Sequence, residues 1–161
     1  MDERLSENFY LSEFQVSEVA ARRGIDMSIP VGSPVYYNIK RLVSEVLQPA
    51  RDAVGLPFVI TSGYRPQKLN RIIGGATTSQ HTVGEAADIV VPGLSPYEVC
   101  RAIVDAGIPF DQLIHEFGRW THVSTRRIGA RPRGQTLTSM KRRTLGIRRT
   151  IYVPGIQEVT A

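Results

Sequence analysis

Residues 79–91 read SQHTVGEAADIVV: a loop bearing a histidine and a glycine that runs into an apolar, strand-like segment. Alternation along that segment puts Asp88 and Ile89 on opposite faces of a strand. His81, seven residues ahead of Asp88, lies in the preceding loop. Gly84 lets the loop fold back so that the imidazole returns toward the carboxylate. Ala86 and Ala87 put little bulk in the way. A histidine and an aspartate brought together like this call for a third partner. Catalytic zinc sites commonly use three protein ligands drawn from His and carboxylates, and leave one position for water.

Two other histidines exist, His115 and His122, both within FDQLIHEFGRWTHVS, residues 110–124. DQLIHEF and RWTHVS read as two strands across a tight turn at Gly118. If the turn has three residues, Phe117–Arg119, then Glu116 faces Trp120 and Ile114 faces His122. Glu116 is then a same-face diagonal neighbour of His122. If it has two residues, Gly118–Arg119, His115 faces His122 and Glu116 points away. A slip of one residue exchanges the candidates, and spacing leaves both registers open.

Further out, helices gather in the first half of the chain and strands in the second. LSEFQVSEVAARRG, residues 11–24, has a capping-box pattern at Ser12 and Gln15 and a stop at Gly24. Ser33 followed by Pro34 starts a helix whose Val35, Ile39, Leu42, Val43, Val46 and Leu47 recur at helical spacing. Pro49 is expected to interrupt that helix before it finishes at Gly55. PFVITSGYRP (57–66) is a strand leaving through a turn, and Pro66 opens a short helix carrying Leu69, Ile72 and Ile73. Ser95, Pro96 and Glu98 form a second capping box, starting a helix that ends at Gly107. GQTLTSM (134–140) and RTIYV (149–153) are two further candidate strands after an Arg- and Gly-rich loop. This segregation predicts an α+β fold, a small antiparallel sheet covered by helices mainly from the N-terminal half. The expected organisation is one domain over 1–161: a helical part (1–55), a core carrying the site (56–125), and a basic loop with C-terminal strands (126–161).

Composition narrows the function. The single cysteine, Cys100, excludes an intrachain disulfide and reads as a small apolar residue of a packed helix. No run approaches the eighteen or so apolar residues of a membrane helix. MDERLSENFY places acids where a signal peptide needs a basic region and then an apolar one, so synthesis in the cytoplasm without a signal peptide is expected. The net charge of +5 is concentrated: residues 119–150 hold ten Arg or Lys and no acid. Such a stretch suits nucleic acid, an anionic polymer or a solvated face. Nucleic acid is disfavoured, since no zinc-finger or helix-turn-helix pattern exists and aromatic residues are sparse there.

The assembled motifs closely resemble the zinc D-Ala-D-Ala carboxypeptidase and peptidoglycan L-Ala-D-residue endopeptidase family, of hedgehog/DD-peptidase fold. The resemblance rests on SGYRP, on Ser79, His81, Gly84, Ala86 and Asp88 in Ser-x-His-x-x-Gly-x-Ala-x-Asp, and on Trp120 and His122 in Trp-x-His. It extends to NFYLSEF, LQPARDAVG and RGQTLTSMKRR, and is greatest with compact single-domain members of phages and prophages. It implies that His81, Asp88 and His122 bind one Zn2+ ion, with Glu116 as general base, and hence the three-residue turn with His115 facing away from the metal. It also implies that Arg65 binds a substrate carboxylate or carbonyl. Ser79 and Gln80 become candidates for binding substrate backbone. Some branches of the family place an acid three residues before the second histidine; here that position is Arg119. The implied substrate is the peptide stem of peptidoglycan, with the basic C-terminal third available to anionic wall polymers. The enzyme would reach the wall after release from the cell, or carried on a phage particle among other virion proteins. The alternative is a virion structural protein that keeps the fold with little activity.

Overall fold

A computed structural model describes residues 2–159. Helices α1 (Glu18–Arg23), α2 (Pro34–Leu42) and α3 (Gln48–Val54) precede strand β1 (Val59–Ser62), and α4 (Gln67–Ile72) follows it. Then come β2 (Ala86–Val90), α5 (Pro96–Asp105), β3 (Gln112–Glu116), β4 (Trp120–Ser124), β5 (Gln135–Thr144) and β6 (Ile147–Pro154). The strands form one sheet in the order β1-β2-β4-β3-β5-β6. Every pairing is antiparallel except β3 with β5, which is parallel. The α+β class holds, with one parallel crossover inside a mostly antiparallel sheet. Among the described residues, no helix is long and apolar enough to cross a membrane.

Local chemistry sets most element ends. The Ser33 hydroxyl accepts from the Tyr36 backbone N–H, with Pro34 at the first turn of α2. Ser95 and Glu98 cap α5 reciprocally, as their spacing predicts. Pro49 does interrupt the long helix. Its ring would clash with the carbonyl four residues back, and the chain widens into a π-turn over Val43–Leu47 before α3 resumes. The capping box expected at Ser12 and Gln15 does not form. Leu11–Phe14 is instead a 3-10 turn capped by Glu13 reaching back to the Tyr10 N–H, and Ser17 caps α1.

Strand alternation sorts the sheet into two faces. Ala87, Ile89, Leu113 and Val123 face the helices and join Ile39, Leu42, Val43, Val46, Leu47 and Ile103 in a continuous buried core. Cys100 is fully buried in that core; burial pushes its thiol up to about 12, as an inert packed residue requires. The intervening residues of the same strands, Asp88, His122, Ile114 and Glu116, face the other way and form the floor of a cleft. Helix packing on one side thus makes a rigid floor of polar groups on the other.

Candidate active site and metal centre

Asp88 and His122 are directly opposed across β2 and β4, and Ile114 opposes His122 across β3 and β4. The hairpin has the three-residue turn, with Glu116 facing Trp120 and the Arg119 N–H donating to the Glu116 carbonyl. Phe117 and Gly118 take positive φ values of 55° and 68° to close it. Glu116 therefore shares a face with His122. His115 points into the opposite layer, where its Nδ1 lies 2.7 Å from the Gln157 carbonyl.

His81 reaches the same place from a 3-10 turn, Gln80–Val83, that ends at Gly84 with φ +77°. Its Nε2 is 3.2 Å from Asp88 Oδ1 and 3.2 Å from His122 Nδ1. Asp88 Oδ1 is 3.0 Å from His122 Nδ1. Three potential ligand atoms thus form a nearly equilateral triangle. Ligands about 2.0–2.2 Å from a tetrahedral ion lie roughly 3.3 Å apart, so the spacing suits one small divalent cation.

The proton count supports the same assignment. His81 Nδ1 lies 2.8 Å from the Gly63 carbonyl, which can only accept, so Nδ1 carries the proton. Burial holds His81 below its ordinary pKa, favouring the neutral ring and leaving Nε2 a bare lone pair. Burial alone would raise the pKa of Asp88, but His81 and His122 outweigh it and hold the carboxylate well below its ordinary range. Two acceptors and His122 Nδ1 then share a buried space with at most one proton among them. A cation satisfies all three; a hydrogen bond satisfies only one edge. His81, Asp88 and His122 are the cluster able to hold a metal among the described residues.

The surroundings fix these groups. Arg65 donates from Nη2 to Asp88 Oδ2 at 3.2 Å and from Nε to the Ser62 hydroxyl at 3.3 Å. Its backbone N–H bonds the His81 carbonyl, tying two parts of the site together. Glu116 is buried and accepts from the Ser139 hydroxyl. Burial raises its carboxyl above the ordinary value, against the opposing pull of the Ser139 bond and His122. The cleft has a volume of about 560 Å³ and is also walled by Trp120, Phe117, Leu137 and Tyr152.

Ser79 lines the cleft, and its carbonyl accepts from the Thr82 side chain within its own loop. Gln80 also lines the cleft, with its amide spoken for: Nε2 donates to Asp111 Oδ2 at 3.1 Å and to the Thr125 carbonyl at 3.0 Å. Arg133 completes that group through Asp111 at 2.7 Å. Ser139 and Tyr152 escaped the reading of the sequence. They reach the site only through the parallel pairing of Glu116 with Ser139 and the pairing of Ser139 with Tyr152, and no local pattern announces either.

The family model described as Peptidase M15 matches residues 7–124. The chain belongs to the peptidase M15 family. No curated protein matches it. As an M15 peptidase the chain is a hydrolase of the metallopeptidase class, and its histidine–aspartate–histidine triangle is a site able to hold the metal. The matched span contains the triangle, Arg65 and Glu116 and ends with β4. Tyr152, which lines this M15 cleft, and Ser139, which is buried behind it against Glu116, lie beyond that span.

Proposed function

We propose that the chain is a zinc-dependent peptidase that cuts the peptide stem of peptidoglycan, at a bond with a D-residue on at least one side. The observation that carries the reading is the triangle of His81 Nε2, Asp88 Oδ1 and His122 Nδ1, spaced for one tetrahedral ion and short of protons. These three atoms would hold one Zn2+. When bound, zinc supplies Lewis acidity, polarising a carbonyl and lowering the pKa of water from ~16 toward ~7.

The rest of the work falls to side chains. Glu116 is the general base: it takes a proton from the attacking water and passes it to the leaving amine. Its burial suits the role, since a carboxyl raised above its ordinary value accepts and returns a proton more readily. Ser139 fixes the Glu116 carboxylate, leaving the other oxygen for the proton transfer. Arg65 holds Asp88 in place and turns its remaining N–H groups toward the cleft, where a substrate carboxylate or carbonyl would accept them. Ser79 and Gln80 form the wall against which substrate backbone would lie. The setting is lysis of the wall by a phage or prophage enzyme, released from the cell or carried on the particle.

Digestion of purified peptidoglycan with mass analysis of the fragments tests this. A terminal D-Ala-D-Ala cut releases free D-Ala, and an internal cut after L-Ala releases a shortened stem. Either product set should vanish with a zinc chelator and return with added zinc. Absence of any fragment, or fragments indifferent to chelation, would refute the proposal.

A further inference from the structure

β5 pairs with β3 only as far as Ser139 and then continues with β6 alone as a two-stranded ribbon. All ten residues 141–150 are exposed, and they close through a two-residue turn at Leu145 and Gly146, both with positive φ. The ribbon carries Lys141, Arg142, Arg143, Arg148 and Arg149 and no acid. Among the described residues none of the five has an ion-pair partner. Arg142 is directly opposite Arg149, and Arg143 directly opposite Arg148. Like charges facing each other across a strand pair destabilise it, so the ribbon is built against its own stability.

Its register ties it to the cleft. Ser139 and Tyr152 are a cross-strand pair on the cleft face, and alternation puts Lys141 with Thr150, then Arg143 with Arg148, on that same face. Lys141 Nζ sits 5.0 Å from the ring centre of Phe117, a cleft residue. A cationic track therefore continues the cleft floor outward for about 13 Å from Ser139 to Arg143, with charges on one strand repeating roughly every 7 Å.

We propose that this ribbon extends the substrate cleft and binds a polyanion attached to the substrate, namely a phosphodiester polymer covalently joined to the cell wall. The inference rests on the peptidoglycan reading for the identity of the polymer. Cations that repeat roughly every 7 Å along one face, single at Lys141 and paired at Arg143 and Arg148, suit a polymer with phosphates at intervals along its chain. Residues 141–150 hold no aromatic residue on which successive bases could stack, which disfavours single-stranded nucleic acid along the outer track. The ribbon's apolar tip is little more than Leu145 and Ile147, a small anchor for a bilayer. Bound phosphates would relieve the cross-strand repulsion, so the feature that weakens the free ribbon strengthens the complex.

Co-sedimentation of the whole chain with purified walls in excess chelator tests this without turnover, so the outcome is independent of whether the zinc peptidase reading holds. Intact walls are compared with walls stripped of phosphodiester polymers by hydrofluoric acid, over a salt series. The unmodified chain should bind intact walls about tenfold or more tightly than stripped walls, and the difference should shrink at high salt. A variant with Arg143→Thr and Arg148→Thr should lose more of that difference than one with Arg142→Thr and Arg149→Thr, which lie on the other face. Equal binding of the unmodified chain to intact and stripped walls overturns the proposal, whether or not the variants fold. Stronger binding to anionic phospholipid vesicles or to duplex DNA than to intact walls overturns it too. Equal losses in the two folded variants overturn the placement on the cleft face.

Discussion

Gly84→Ala should damage the site from outside the set of candidate ligands. Gly84 has φ +77°, and a Cβ there would meet the Val35 carbonyl oxygen at 2.8 Å and the Ile39 and Val35 side chains at 3.0 Å. Holding a side-chain-bearing residue in the left-handed region costs about 1–2 kcal/mol. Forcing a methyl against a helix carbonyl that cannot yield adds about 1–3 kcal/mol. The sum, about 2–5 kcal/mol, is a large share of the 5–15 or so kcal/mol by which a domain is stable. For a chain of this size it corresponds to a fall in Tm of roughly 4–20 °C. The matched control is Gly24→Ala, where φ is +58° and the added Cβ meets nothing within 4 Å, so only the conformational cost applies. Both variants are melted by circular dichroism in excess chelator, so metal binding does not contribute, and are then titrated with zinc. Gly84→Ala should melt several degrees below Gly24→Ala and bind zinc more weakly, since relief of the clash moves the turn that carries His81. Equal melting temperatures for the two variants would show that the approach of α2 to this loop is not what demands glycine.

His122→Ala should lose both bound metal, measured by elemental analysis, and turnover, whereas Glu116→Gln should keep the metal and lose about 10²–10⁴ in rate. A Glu116→Gln protein with full activity would assign the base to another group. Burial raises Asp111, but its bonds to Arg133 and Gln80 outweigh this and hold it below its ordinary pKa. A depressed carboxyl stabilises the fold above its unfolded pKa of about 3.9, and that contribution fades as pH falls through the folded value. The Tm deficit of Arg133→Gln should accordingly be larger at neutral pH than in acid, and a deficit that grows on acidification contradicts the pairing. Cys100, buried with its thiol pushed up to about 12, should resist alkylation in the native protein and react after denaturation, as followed by mass spectrometry. Chelation should lower Tm, and readdition of zinc should restore it, because an ion that binds only the folded chain stabilises it by mass action.

Element ends set by one or two side chains were legible in the sequence, and arrangements set by distant strands were not. Ser33 with Pro34, Ser95 with Glu98, and Gly24 act on backbone groups within a turn of themselves, so spacing alone reveals them. Ser12 and Gln15 match the same pattern and fail. The Ser12 hydroxyl bonds Asp2, ten residues away, and Glu13 captures the nearby N–H instead. Spacing alone leaves the hairpin at Phe117–Arg119 ambiguous for a related reason, and only the family resemblance favours the three-residue turn. Its two registers differ by one residue, and what anchors the observed one comes from elsewhere: the Phe117 N–H donates to the Ser139 carbonyl of β5, and β2 aligns Asp88 with His122. A parallel partner reached through a loop of ten residues, 125–134, leaves no periodic trace in either strand.

The candidate site follows from how the sheet is loaded. Helices α2, α3 and α5 bury Ala87, Ile89, Leu113 and Val123, and the period of two then obliges Asp88, His122 and Glu116 to emerge together on the far face. Slipping any of these strands by one residue would bury the carboxylates and expose the core, a cost far above that of any single contact. The positions of three of the four polar groups are therefore enforced by hydrophobic packing. Only His81 is held by a loop, and that loop is clamped at both sides, by the Gly63 carbonyl on its ring and by the Arg65 N–H on its backbone. A triangle fixed this firmly holds the His81 lone pair and the Asp88 carboxylate 3.2 Å apart with no proton between them, at a standing electrostatic cost. A cation bound there would remove that cost without rearrangement, so the packing of the core preorganises the candidate metal site.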